Sequence, residues 1–286
     1  MIDKNNDSND PRFIGMDNRI HIDEKWFYLS KKSEKYYLLK EERDPERTCK
    51  SKNFLTKVMF LAAVARPRFD EAGNVLFSGK IGIFPFITKE PAKRSSSNRP
   101  AGTLVTKPMT SVGRDTVRSF LINKVVPAII EKWPDDVHNT TLFIQQDNAR
   151  THINPNDEEF RLAMNRLGVD IQLYNQPPNS PDMNVLDLGF FNAIQALQQK
   201  EATRTVEELI SAVERAFEAY SPIRSNHVFL SLQLCMIEVM KTRGSIGYKI
   251  PHINKVGLER NGRLPFQMPC DAKLIEDINE WLNSEP

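Results

Sequence analysis

Residues 19–29, RIHIDEKWFYL, place Ile20, Ile22, Trp26 and Tyr28 on one face and His21, Asp23 and Lys25 on the other. Such alternation is the period-two signature of a strand, so Asp23 is expected to point away from the apolar face. A second strand is predicted over 35–40, KYYLLK, and the apolar run FLTKVMFLAAVA at 54–65 reads as a buried central strand. Another strand is expected around 75–87. Strands in direct succession imply an antiparallel meander opening a sheet. Residues 91–112, with Ser95, Ser96, Ser97, Pro91, Pro100, Gly102 and Pro108, have loop composition and no period, and are expected as an exposed insertion. Val117, Phe120, Leu121, Val125, Ile129, Ile130 and Trp133 then recur at helical spacing, with Pro127 a point of kinking and Pro134 a stop.

The strand TTLFIQQD at 140–147 follows. Asn154-Pro155 with Asp157, Glu158 and Glu159 reads as the capped start of a helix that runs to Leu167 and stops at Gly168. VDIQLYNQ is the next strand, and PPNSPDMN forms a rigid turn into a helix from about Val185 to Lys200. Strands followed by alternating helix and strand make this an α/β chain with a mixed sheet. Beyond Thr203 the pattern is helical: TVEELISAVERAFEAY and HVFLSLQLCMIEVMKTRG are expected as a packed pair, and a short amphipathic helix closes the chain around 271–282. The division expected is a disordered tail at 1–18, the sheet domain at 19–203 and a helical extension at 204–286.

Composition narrows the class. With 40% hydrophobic and 27% charged residues over 286 positions, the chain can bury a sizeable core. It contains no apolar run near the roughly 18 residues that span a bilayer. Its first ten residues, MIDKNNDSND, lack the apolar centre of a secretion signal, so an intracellular protein is expected. Cys49, Cys235 and Cys270 show no CxxC pairing, which argues against a zinc module or a disulfide framework. A net charge of +2 identifies no partner, but the cations are unevenly placed. Residues 31–57 hold nine Lys and Arg against five acids, and 89–124 hold eight against two. A single run of this kind is more often a solvated surface than a binding site.

Three carboxylates fall where elements could converge: Asp23 within the first strand, Asp147 ending a later one, and Asp187 in the first turn of a helix. Cutting a phosphodiester requires activation of a water or 3′-hydroxyl together with stabilisation of the leaving oxygen. Two Mg²⁺ ions do both and take oxygen ligands, which three acids from separate elements would supply. Any one of the 37 acids alone is more often a solvated charge or a cap. Asp182 in SPDMN fits the latter description.

The segments around these acids change the weighting. HIDEKWF at 21–27, QQDNARTH at 145–152 and QPPNSPDMNVLDLGFF at 176–191 resemble, in order, the three catalytic blocks of Tc1/mariner transposases, particularly the plant and oomycete mariner-like type. The resemblance continues through KSKNFLTKVMFLAAVARPRFD and FLSLQLCMIEVMKTRG. Between Asp147 and Asp187 lie 39 residues, the spacing of that subgroup. Asp182 follows Asp147 at the spacing of animal mariners, but motif alignment assigns the third acid to Asp187 and leaves Asp182 as the turn or cap residue.

The resemblance implies an RNase H-like core that cleaves DNA at transposon ends and transfers strands to a new site. It implies Asp23, Asp147 and Asp187 as ligands of two Mg²⁺ ions, with Mn²⁺ able to substitute, and Asn148 and His152 as residues supporting them. It also implies DNA and a second copy of the chain as partners, and the nucleus as the compartment. Lys50 and Lys52, in a stretch matching a loop that reaches a partner subunit in relatives, and Arg94 and Arg99 are the expected DNA contacts. Full-length relatives carry helix-turn-helix modules ahead of the first block, whereas Asp23 stands near the start here, so a truncated product is expected. The alternative is a derivative of a transposase that binds DNA or protein without chemistry. A third reading is an RNase H-like nuclease unrelated to transposition.

Overall fold

In the computed structural model, residues 11–29, 55–96, 99–245 and 247–284 are described. The strand expected at 35–40, together with Cys49, Lys50 and Lys52, lies outside them. Strand β1 (Arg19–Tyr28) is central to a five-stranded sheet. It pairs antiparallel with β2 (Lys57–Ala65), which pairs antiparallel with β5 (Lys80–Pro85). On its other side β1 runs parallel to β8 (Leu142–Gln146), and β8 runs parallel to β9 (Ile171–Asn175). The order is β5-β2-β1-β8-β9, so the expected mixed sheet with an opening antiparallel meander is present. Between β2 and β5, the short strands β3 (Arg68–Phe69) and β4 (Val75–Phe77) form a hairpin of their own.

Both faces of β1 and β2 are covered. Ile20, Ile22, Leu61 and Ala63 meet one apolar cluster with Leu121, Val125, Ile144 and Phe160. Phe27, Val58, Phe60 and Val64 meet another with Leu186, Phe190, Phe217 and Phe229. The expectation of a polar face for His21, Asp23 and Lys25 is therefore corrected. His21 is buried edge-on against Phe229 at 5.6 Å, and the Lys25 ammonium lies over the Phe191 ring at 5.4 Å. Burial, with Arg19 adding repulsion, lowers the His21 pKa to about 3, so the ring is neutral.

The first face is covered by α1 (Arg114–Phe120) and α2 (Val126–Lys132), joined through a π-helical turn at Leu121–Val125. Pro127 enters the first turn of α2. A proline ring collides with the carbonyl four residues earlier in a regular helix, and the wider π turn just before it relieves that collision. Across the sheet, α4 (Phe191–Gln198) packs on α5 (Val206–Ala219), which also rests on β1, β2 and β5. Helix α6 (Pro222–Lys241) packs against the turns leading into α4 and against α8 (Ala272–Ser284). The two long helices thus lie chiefly on the domain rather than on each other. Helix α7 (Lys255–Arg260) precedes α8.

Three more expectations are corrected. Residues 11–18 are not a tail: Phe13 and Met16 are buried in the second cluster, and the Cys270 amide donates to the Pro11 carbonyl at 2.9 Å. The stretch at 91–112 is not all loop: its segment Leu104–Pro108 is strand β7, which pairs with β6 (Ile87–Pro91) as a hairpin. Helix α3 (Glu158–Leu167) is capped by Asp157 rather than Asn154. Its other end closes at Gly168, whose φ of 65° favours glycine. Among the described residues no helix is long and apolar enough to cross a membrane.

Asp157 accepts the Phe160 amide at 3.0 Å and the Arg118 guanidinium at 2.8 Å, with its side chain 10% exposed. The Arg118 hydrogen bond holds this carboxyl below its ordinary pKa. A folded-state pKa below the unfolded one contributes stability above roughly pH 4 that is lost as pH falls through the folded value. Asp157→Ala is expected to cost about 1–3 kcal/mol at neutral pH in urea unfolding. Asp157→Asn, which keeps a capping oxygen, should cost less and flatten the acid limb of the stability profile.

Candidate active site

Strand β8 ends level with the middle of its parallel neighbour β1, and that is where the acids collect. Asp23 sits opposite Ala62 in β1, and Asp147 follows the last residue of β8. Asp187 stands in a π-helical turn, Leu186–Phe190, that leads directly into α4. The Asp23 and Asp187 carboxyl groups share a hydrogen bond. Asp147 and Asp187 line one cleft of about 330 Å³ together with Asn148, Gln176 and Ser180. A larger hollow, about 690 Å³, lies at the opposite end of β1 beside Asp17, Arg68 and Phe266, away from these acids.

Electrostatics record the crowding. Burial, then the charges of Asp187 and Glu24, push the Asp23 carboxyl up to about 8. Burial also raises Asp187, against the pull of the Asp23 hydrogen bond and the Lys25 charge. Glu24, which no sequence signal singled out, faces the other way from Asp23 and meets His152, whose Nε2 lies 3.0 Å from Oε2. The same ring places Nδ1 2.8 Å from Asp147 Oδ1 and 3.1 Å from the Asp147 carbonyl oxygen. Burial opposes charge on His152, but the Glu24 hydrogen bond and charge prevail and raise its pKa to about 9. The imidazolium therefore joins two carboxylates on neighbouring strands.

A net of amides fixes the loops. Asn148 Nδ2 donates to the Gln176 carbonyl at 2.7 Å and Oδ1 accepts from Asn175 at 3.1 Å. Gln145 donates to the Met183 carbonyl at 2.7 Å, and Gln146 to the Ile153 carbonyl at 2.6 Å. Asn184, fully buried, donates to the Ile22 carbonyl at 3.1 Å and accepts the Leu186 amide at 3.1 Å. One side chain thus ties the residue before Asp23 to the residue before Asp187. Asp182 is the expected cap of this turn, but the capping oxygen belongs to Asn184. The signal is present in SPDMN, since asparagine caps as well as aspartate does.

Arg94 and Arg99 are exposed near the tip of the β6–β7 hairpin, apart from the cleft. Among the described residues, no group of three His, Cys, Asp or Glu is already spaced to hold a metal ion. The donor chemistry nonetheless suits a hard divalent cation. Its acids supply only oxygen ligands, and an Asp23 pKa raised to about 8 by burial and then by the charges of Asp187 and Glu24 marks a site short of positive charge.

With this geometry the chain is similar to solved mariner transposase structures. It aligns with the pre-cleavage Mos1 transpososome at a TM-score of 0.58 and 16% identity, covering 82% of this chain and 58% of that one. The fold is RNase H-like. The Mos1 paired end complex with Mn gives a TM-score of 0.57 at 16% identity over 81% of this chain and 57% of that one. The Mos1 catalytic domain with Raltegravir and Mg gives 0.50 at 16% identity over 82% and 87%. The chain thus spans a little over half the length of the Mos1 chains in the DNA-end complexes. No family model and no curated protein matches it.

Asn184→Ala removes a buried donor and a cap together, leaving the Ile22 carbonyl and Leu186 amide unpaired. The expected loss is about 1–3 kcal/mol in urea unfolding. Asn184→Asp should retain the cap yet lose the bond to β1, and should fall between the two.

Proposed function

We propose that this chain is the catalytic domain of a mariner-like DNA transposase of the plant and oomycete type. The reading is carried by one observation: Asp147 follows β8 level with Asp23 on the neighbouring strand β1, and Asp147 and Asp187 line one cleft of an RNase H-like sheet. Its substrate is DNA, first cleaved at a transposon end and then joined to a target. Asp23, Asp147 and Asp187 would hold two Mg²⁺ or Mn²⁺ ions, which when bound supply an activated oxygen nucleophile and stabilise the leaving oxygen. Asn184 sets the turn bearing Asp187 against β1, and Glu24 holds the His152 ring that steadies Asp147. Asn148 shapes the cleft wall beside Asp147. Lys50 and Lys52 would contact DNA or a second copy of the chain, and the nucleus would be the compartment where such a substrate is met. The similar Mos1 structures include complexes with Mn and with Mg, which supports the choice of ions.

The alternative reading is a derivative that binds DNA without cutting it. Nicking of supercoiled DNA with Mg²⁺ or Mn²⁺ separates the two. The parent chain is expected to nick, and Asp147→Ala and Asp187→Asn to fall by at least about a hundredfold. Equal nicking by parent and variants would remove the assignment of these acids. Independently, Mn²⁺ at about a hundred times its Kd should stabilise the parent by roughly 2.7 kcal/mol in thermal unfolding and leave Asp23→Asn unmoved.

A further inference from the structure

The β6–β7 hairpin is a two-stranded ribbon paired with no third strand among the described residues. Its register runs from Ile87 opposite Pro108 to Pro91 opposite Leu104. Beyond the strands, Ser96 and Arg99 exchange backbone hydrogen bonds at 2.8 and 3.2 Å, and Ser95 Oγ accepts the Ala101 amide at 2.9 Å. The root is equally fixed. Phe86 donates its amide to Met59, its carbonyl accepts from Met109, and its ring stacks on Phe120 at 4.3 Å.

Charge on this ribbon is predominantly positive. Lys89, Lys93, Arg94, Arg99 and Lys107 stand exposed against the single acid Glu90. Glu90 pairs with Lys107 at 2.7 Å, while the other four make no ion pair among the described residues. A solvated surface loop of this length commonly mixes signs, and an ordered ribbon bearing unmatched cations invites a polyanion.

Its position narrows the partner. Asp23 lies opposite Ala62, and Ala62 opposite Ile83; two residues further along, Lys25, Phe60 and Pro85 form the next such row. The ribbon therefore leaves the sheet at the end where the acids gather, and Ile87 packs on the apolar cluster of Asp23's own face. Past the ribbon, exposed Arg114 donates to the carbonyl of Arg150, in the loop after Asp147, at 3.1 Å. Cations thus continue from the tip to the rim of the cleft. A cleft lined with carboxylates repels a phosphate chain, so a polyanionic substrate must be held by cations beside it. A two-stranded ribbon also has dimensions that a DNA major groove, roughly 12 Å wide, admits.

We infer that the β6–β7 ribbon is a duplex-DNA arm, with Lys93, Arg94 and Arg99 contacting phosphates of the segment flanking the cleft. The inference rests on the nucleic-acid reading of that cleft. It assigns the ordered hairpin, rather than isolated loop arginines, as the element that holds the substrate.

The test measures anisotropy of a labelled DNA duplex with the full chain, in EDTA, across a salt series. Lys93→Gln/Arg94→Gln/Arg99→Gln should weaken binding by at least about tenfold and reduce the slope of log Kd against log salt by roughly 0.9 for each phosphate left without its cation. Arg94→Gln alone should shift both in the same direction, and Arg94→Lys should restore the slope, which guards against a folding defect in the triple variant. Unchanged affinity and slope, or a parent chain that does not bind duplex at all, would overturn the arm. Because binding is read without metal, Asp147→Ala nicking as well as the parent would sink the cleft assignment and leave the arm to stand on its own result.

Discussion

Bringing like charges together across neighbouring strands is unfavourable, and the fold must supply a larger opposing term. Two unit charges 4 Å apart repel by about 4 kcal/mol at the effective dielectric near a protein surface. Behind Asp23, the same strand buries Ile20, Ile22 and Phe27 completely. Each such side chain contributes about 1.5–3 kcal/mol relative to exposure, enough to hold the strand in register despite the acids. Part of the repulsion is also relieved locally, by a proton near Asp23 and by the His152 imidazolium between Glu24 and Asp147.

Two of the three acids stand where regular structure ends. Asp147 leaves β8 into a turn closed by its own side chain, which accepts the Ala149 amide at 2.8 Å. Asp187 stands in a π-helical turn, a wider and less favourable form that recurs at functional sites. The buried side chain of Asn184 sets that turn against β1, so the two acids meet through one hydrogen-bonded joint rather than through apolar packing. Such a joint is directional, which suits a place where carboxylate oxygens must face one another.

The acid cleft and the basic ribbon lie toward the same end of the sheet and carry opposite charge. A pocket of carboxylates can hold cations but repels the phosphate backbone that those cations would act on. Cations carried on a separate ribbon at the same sheet end offset that repulsion without neutralising the pocket. The proposed function needs both, and the sheet topology brings both to one end.

Much of this is legible in the sequence because it is local. The period-two and helical patterns locate β1, β2, β8, β9 and the principal helices, and the three motif blocks single out Asp23, Asp147 and Asp187. What escapes depends on neighbours distant along the chain. Residues 91–112 read as loop because a two-stranded ribbon that stands outside the main sheet has no apolar periodicity to display. The His21 face reads as polar because its cover, Phe229 and Phe191, lies far along the chain. Glu24 and Asn184 give no sign of their importance, since their partners are His152 and the Ile22 carbonyl. The sequence by itself determined which segments become strands and helices, and which acids lie in the family-like blocks, because backbone periodicity and short motifs are properties of contiguous residues. Only the tertiary structure decided which acids meet, what shares their protons and which cations stand beside them, because those depend on distances between parts of the chain that no local pattern encodes.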